Sequence, residues 1–224
     1  MKKVIIFDLD NTLVDLDFET MDCHDDFMDL LGLDLSKKTE VISEIMNFFR
    51  AFDKHFSGKV VTMRETKNLL RGGVCPFVKK YNLSIDTVIR ALFDATIGAA
   101  REIDGASEIL TYSKNKEYTL IILTNWFKYV QIGKLKLIGL DKFFDEVICV
   151  DGNYLKPNVK SLTTILSKFR AEDCVLIGNG YEKDIILGVK AGIDTIWIKS
   201  DNIRIKNNLA THNITNIKEI EKIL

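Results

Sequence analysis

The chain has 224 residues, 46% hydrophobic and 28% charged, an ordinary globular balance with room for one large α/β domain or a core carrying a smaller insert. A formal net charge of −1 leaves no electrostatic footprint for a nucleic-acid partner, and no apolar run approaches the roughly 20 residues that span a bilayer. The four cysteines (Cys23, Cys75, Cys149, Cys174) are too far apart for a paired metal knuckle, and three histidines are too few for a His-rich metal site. Reduced thiols and a cytoplasmic location are the simplest expectation.

In chain order, Met1-Lys2-Lys3 leads into the apolar run 4–7. The run is shorter than the ~7–15 apolar residues of a secretory signal and is interrupted by Asp8 and Asp10, so it reads as a strand. Residues 18–31, 41–52, 62–70 and 85–100 then carry helical periodicity, with Gly72-Gly73 and Asn82 marking breaks. Further apolar runs follow at 119–123, 146–150, 174–177 and 195–198, separated by helix-compatible segments at 126–138, 159–169 and 182–190. These runs are β-branched and nearly continuous, as strands are when helices cover both faces of a parallel sheet. The expectation is an α/β fold, with a doubly wound, Rossmann-like parallel-sheet core (1–14 and 101–224) and a small α-helical cap domain (15–100) leaving it after the first strand. Residues 217–224 read as a short amphipathic closing helix.

The chemistry concentrates where strands end. In Ile6-Phe7-Asp8-Leu9-Asp10-Asn11-Thr12-Leu13 an apolar strand runs directly into two carboxylates. Residues i and i+2 of an extended chain point the same way, so both can face one site. Their mutual repulsion is relieved by a divalent cation, and Mg²⁺ favours one or two carboxylates plus phosphate oxygens. Solvated loop aspartates or a helix N-cap are the alternatives.

Asp8-Leu9-Asp10-Asn11-Thr12-Leu13-Val14 resembles the first signature of the haloacid dehalogenase-like (HAD) hydrolase superfamily. Leu123-Thr124-Asn125, Lys156-Pro157 and Gly178-Asn179-Gly180-Tyr181-Glu182-Lys183-Asp184 resemble the second, third and fourth, in order, and Asp104-Gly105-Ala106 the re-entry into the core. The resemblance implies a Mg²⁺-dependent phosphohydrolase of small phosphorylated metabolites. Asp8 is then the nucleophile that forms an aspartyl phosphate, and Asp10 the general acid and base. Thr124 and Asn125 bind the phosphoryl group. Lys156 compensates charge on nucleophile and phosphoryl oxygens. Asp8, Asp10, Asn179 and Asp184 form the metal set. Asp10 itself argues for phosphoryl chemistry over dehalogenation, because dehalogenases of this family need no leaving-group acid. Asn179 departs from the pattern, since the family usually has Asp there, and a neutral oxygen implies weaker Mg²⁺ binding. Two other readings stay open: a sugar phosphomutase, and a catalytically silent binding module on the same fold.

For several residues a bland reading stands beside the sharp one. Thr124 suits an N-cap for the helix expected near Trp126, Lys156 a solvated surface lysine, and Pro157 the first position of a helix. Trp126 could stack on a substrate ring or pack on the first turn of that helix. Arg50, Lys54, Arg64 and Arg71 could hold a second anionic group over the site or simply be solvated, with Arg71-Gly72-Gly73 read as a flexible break. Asp15, Asp17, Glu19, Asp22, Asp25, Asp26 and Asp29 read as a hydrated helix face rather than a metal cluster.

Overall fold

The structure, a computed structural model, describes residues 3–17, 21–56, 62–150, 154–200 and 205–224, without the side chains of 21–23, 49 and 52–56. The first strand is β1 (Val4–Phe7), and its four side chains are all buried. After the turn carrying Asp8 and Asp10 comes β2 (Val14–Leu16). Four helices follow: α1 (Met21–Leu31), α2 (Lys38–Phe56), α3 (Met63–Tyr81) and α4 (Ile85–Gly98). The chain returns on β3 (Ala100–Glu102), which pairs antiparallel with β2, Val14 opposite Glu102. This two-stranded ribbon is where the helical segment joins the sheet domain.

The remainder alternates strands and helices: α5 (Ala106–Asn115), β4 (Thr119–Asn125), α6 (Lys128–Leu137), β5 (Glu146–Val150), α7 (Thr163–Leu166), β6 (Cys174–Gly178), α8 (Ile186–Ala191), β7 (Asp194–Ile198) and β8 (His212–Ile214). Six strands form one parallel sheet in the order β5-β4-β1-β6-β7-β8, with β1 central. Helices cover both faces, so the core is the Rossmann-like α/β fold expected. Ile5 and Phe7 pack with Ile109 and Leu110 of α5 and with Ile217 and Ile220. Val4 and Ile6 pack oppositely with Leu162, Ile165 and Leu187. The period-two alternation of β1 thus divides between two apolar layers, each buried aliphatic contributing about 1.5–3 kcal/mol.

Helices α1–α4 build a separate hydrophobic cluster around Phe27, Met28, Val41, Leu70, Phe77 and Leu92, against which Trp126 and Phe127 also pack. The expected break at Gly72-Gly73 is absent, and α3 runs unbroken through it. Thr62 and Glu65 form a reciprocal capping box at its start, Asn82 in the left-handed region ends it, and Thr66, Leu70, Val74 and Phe77 supply a continuous buried stripe. Gly73 lies against the Phe48 ring, where a Cβ would collide, so this glycine permits close helix packing rather than a bend.

Other boundaries also differ from expectation. Trp126 adopts φ +95°, outside any helix, and α6 begins two residues later. Residues 159–169 fold as a 3₁₀ turn (Val159–Leu162) followed by the single turn of α7. Asn158 is the N-cap there and Val159 the first position, so Pro157 stands before the helical turn and not at its first position. Residues 182–190 begin within a π-helical turn, Tyr181–Ile185, and the closing segment is 3₁₀ over Ile217–Lys222. Phe18 and Glu19, and the side chains of Met21, Asp22 and Lys54, lie outside the described residues.

Candidate active site

Register brings the strand-end residues together. Phe7 of β1 stands opposite Ile122 of β4 and Ile177 of β6, so the next residue of each chain lies at one edge of the sheet. Asp8 and Gly178 therefore emerge level with Leu123, and Thr124 one residue beyond it, at the carboxyl ends of three adjacent parallel strands, where open α/β sheets place ligands. The Asp8 N–H still donates to the Ile177 carbonyl at 2.9 Å, which anchors this residue to the sheet. Beyond it the chain folds back. The N–H groups of Leu13 and Val14 donate to the Leu9 carbonyl, and Asn11 takes φ +57°, a conformation its short polar side chain tolerates.

Lys156 is the hub. Its Nζ donates to Asp8 Oδ1 at 2.7 Å and to Asp184 Oδ1 at 2.6 Å, and its side chain is 2% exposed. This is no solvated surface lysine. Burial alone would lower its pKa, but the charges of Asp184 and Asp8 outweigh that and hold it above the ordinary lysine range. Asn125 sets the backbone beneath it. Its Oδ1 accepts from the Lys156 N–H at 2.9 Å and its Nδ2 donates to the Lys156 carbonyl at 3.2 Å. In this arrangement the Asn125 amide positions Lys156.

Burial, and then the neighbouring charge of Asp184, push the Asp8 pKa up to about 6 against the opposing pull of Lys156. Thr12 donates to Asp8 Oδ2 at 3.3 Å and accepts from the Asn179 N–H at 3.1 Å, linking the first and fourth motifs. Asp184 is 1% exposed and reaches back from the π-helical turn, its Oδ2 accepting from the Gly180 N–H at 3.0 Å. It fits because Gly178 has no side chain; a Cβ there would strike the Asp184 carboxylate. The Asn179 carbonyl accepts from the Trp197 indole at 3.0 Å, which fixes the loop after β6.

Asp10 faces a different set of groups. Lys134 Nζ donates to its Oδ1 at 2.7 Å, and Gln131 Nε2 donates to its Oδ2 at 2.8 Å. The Thr124 hydroxyl donates to the Asn125 carbonyl at 3.0 Å and accepts from Gln131 at 2.7 Å; Thr124 caps no helix. Thr12, Gln131, Lys134 and Gly178 are thus site residues to which the sequence reading assigned no role. A signal existed for two of them. Gln131 and Lys134 are polar residues three apart on the buried face of α6, between Val130 and Leu135.

The four metal-set residues converge only in part. Among the described residues, no three His, Cys, Asp or Glu side chains are gathered as a ready-made cage, and the acidic run beginning at Asp15 holds no such cluster. Asp8 and Asp184 bring two carboxylates to one Lys156 ammonium, so a further cation would offset the remaining negative charge, and hard oxygen donors suit magnesium. The residues present therefore fit a Mg²⁺ ion that keeps several waters.

Of the cap candidates, the described ones, Arg50, Arg64 and Arg71, lie on the surface and make no hydrogen bond or ion pair with the described site residues. Arg71 pairs with Asp86 on the surface at 3.1 Å, Arg50 donates to Asn47, and Arg64 is exposed. Trp126 packs edge-to-face on Phe127, and Phe127 on Phe93 of α4, so Trp126 belongs with the helical cluster.

A sequence profile of haloacid dehalogenase-like hydrolases matches residues 2–192. The chain is 25% identical to a glyceraldehyde 3-phosphate phosphatase of Methanothermobacter thermautotrophicus over the full length of both. It is 24% identical to the pyrimidine 5′-nucleotidase YjjG of Escherichia coli, covering 98% of this chain and 96% of that one. Among solved structures it resembles the magnesium-bound HAD-hydrolase YfnB of Bacillus subtilis, with TM-score 0.68 and 22% identity over 100% of this chain and 98% of the other. A 2-haloacid dehalogenase of Pseudomonas syringae shares the fold at TM-score 0.67 and 20% identity, covering 100% and 98%. With the motifs at the strand ends and the profile match over most of its length, this chain belongs to the haloacid dehalogenase-like hydrolase family and is an enzyme of that family.

Proposed function

We propose that the chain is a Mg²⁺-dependent phosphatase of small-molecule phosphomonoesters that works through an aspartyl phosphate on Asp8. The observation that carries this reading is the buried Asp8–Lys156–Asp184 cluster at the sheet edge, with a second carboxylate, Asp10, two residues beyond the nucleophile. Relatives named as phosphatases and nucleotidases support it.

An Asp8 carboxylate oxygen attacks phosphorus as the ester P–O bond breaks. The electron pair goes to the leaving oxygen, which takes a proton from the Asp10 carboxyl. Water then attacks the acyl phosphate and gives its proton to Asp10, and the bond from phosphorus to Asp8 breaks to release inorganic phosphate. Lys156 lies against Asp8 throughout and offsets charge on the phosphoryl oxygens. Thr124 turns its hydroxyl from the Asn125 carbonyl to a phosphoryl oxygen, and Asn125 keeps Lys156 in place. Asp8, the Asp10 backbone carbonyl, Asn179 and Asp184 would hold one Mg²⁺, which when bound neutralises phosphate charge. Residues 15–100 form the cap, which selects the alcohol part of the substrate.

The test is phosphate release from an aryl phosphate, a triose phosphate, nucleoside 5′-monophosphates and hexose phosphates, with and without millimolar Mg²⁺. Mg²⁺-dependent turnover that falls by at least about 10³-fold in Asp8→Asn is the expected result. Isomer interconversion without phosphate release would identify a mutase. Folded protein inert across the panel would overturn the enzyme reading in favour of a phosphate-binding module.

A further inference from the structure

We propose that Lys134 and Gln131, two residues of α6 outside the four motifs, are positioning residues that aim the Asp10 carboxyl. The inference rests on the reading of Asp10 as general acid. Between them they engage both Asp10 oxygens, Lys134 at 2.7 Å and Gln131 at 2.8 Å. The Asp10 side chain is 34% exposed while that of Lys134 is 2% exposed, so the carboxylate is gripped from the protein side and open on the other.

Both gripping groups are costly to bury. An ammonium loses most of its hydration inside a protein, and an aliphatic residue would fill this face of α6 at lower cost. Among the described residues the only acidic partner of Lys134 is Asp10. Gln131 is wholly buried, and its amide orientation is dictated by what it meets. Asp10 Oδ2, Thr124 Oγ1 and the Asn125 carbonyl all present oxygens to Nε2, at 2.8, 2.7 and 3.0 Å. Its own Oε1 is left buried without a partner among the described residues. A flipped amide would set Oε1 against the Asp10 carboxylate and the Asn125 carbonyl, so the Nε2-inward orientation follows from holding these two together even though Oε1 goes unsatisfied. One side chain thereby ties the acid to Thr124 and to the residue that positions Lys156.

The helix that carries these residues is itself braced on the cap. Gly133 lies under Ile97 of α4, where a Cβ would collide, and the Tyr129 hydroxyl donates to Asp94 of α4. Lys134 and Gln131 thus give α6 a fixed hold on Asp10 at the junction with the cap.

A general acid matters in proportion to how poor the leaving group is. Expelling 4-nitrophenolate needs little protonation, whereas expelling an alkoxide needs nearly all of it. The test compares kcat/KM for 4-nitrophenyl phosphate and for an alkyl phosphate in wild type, Lys134→Met, Lys134→Arg, Gln131→Leu and Asp10→Asn, each checked for folding by thermal melt. Complete loss of a general acid costs about 10²–10⁴-fold. The expected result is a roughly 10–100-fold loss on the alkyl ester in Lys134→Met, a few-fold loss on the aryl ester, and substantial recovery in Lys134→Arg. Gln131→Leu should show the same asymmetry and carries the comparison if Lys134→Met does not fold. Equal losses on both esters in these variants, alongside a leaving-group-dependent loss in Asp10→Asn, would overturn the inference and leave the phosphatase reading intact. Equal losses in Asp10→Asn itself would remove the acid role of Asp10 and the inference with it.

Discussion

Burial of Asp8 makes stability depend on pH at one residue. Its pKa rises from an ordinary 3.8 to about 6, first by burial and then by the charge of Asp184. The folded protein therefore holds this proton more tightly than the unfolded chain. The stability it supplies is complete below about pH 4 and is lost as pH climbs through about 6, on the order of 2–3 kcal/mol without metal. Asp8→Asn has no carboxyl to ionise, so the melting-temperature difference between variant and wild type should grow in favour of the variant from pH 4 to pH 7. A constant difference would show that Asp8 does not titrate in that window. Residue 179 gives a second prediction. Ligand charge tunes the affinity of oxygen-donor sites, so Asn179→Asp should lower the Mg²⁺ concentration for half-maximal activity by roughly tenfold. An unchanged Mg²⁺ titration would take residue 179 out of the ligand set.

At the scale of elements, the glycine at the end of β6 makes room for the charged groups around it. Gly178 leaves the space into which Asp184 folds from the π-helical turn, and π-turns recur where a side chain must be re-aimed at a site. Gly178→Ala should push Asp184 away from Lys156 and lower kcat by about tenfold or more, because misplacement of about an ångström costs that much or more. The accompanying loss of stability should stay near 1–3 kcal/mol. Steady-state kinetics and a denaturant titration read the two effects separately. The same elements mark what was legible locally. The apolar runs at 4–7, 119–123, 146–150, 174–177 and 195–198 all became strands, because continuous β-branched runs between helices have little alternative in a sheet covered on both faces. Strand β8, His-Asn-Ile, is too short to give an apolar run; it is a three-residue edge strand with one buried side chain. Helix α5 is not among the expected helices, although Ala106, Ile109, Leu110 and Ser113 share one buried face. By local propensity Gly72-Gly73 reads as a break, and packing against Phe48 overrides it.

For the whole molecule, the helical cluster of α1–α4 and the two sheet layers are distinct bodies of apolar contact, and they should respond separately to damage. Leu92 is 2% exposed in the helical cluster. Leu92→Ala should cost about 2–5 kcal/mol where that cluster is concerned. Amide hydrogen exchange should then accelerate across α1–α4 while the amides of β1, β4 and β6 keep their protection. Uniform acceleration would mean that the helices and the sheet open as one unit. The junction between them runs through Trp126, Phe127 and α6, and α6 also carries Gln131 and Lys134.

The sequence by itself determined the parallel α/β core, the family and which candidate residues stand at the strand ends. Those depend on short contiguous patterns, apolar strands that run into Asp8-x-Asp10, Thr124 and the loop after Ile177, and such patterns survive without knowledge of the fold. Tertiary structure alone decided which groups meet. That Lys156 is buried between Asp8 and Asp184, 148 and 28 residues away, follows from the order β5-β4-β1-β6 of four parallel strands. That Lys134 and Gln131 reach Asp10, 124 and 121 residues away, follows from how α6 seats on the sheet. A lysine on a helix reads the same in sequence whether it faces water or a carboxylate; its meaning comes from the desolvated partner that folding sets in front of it.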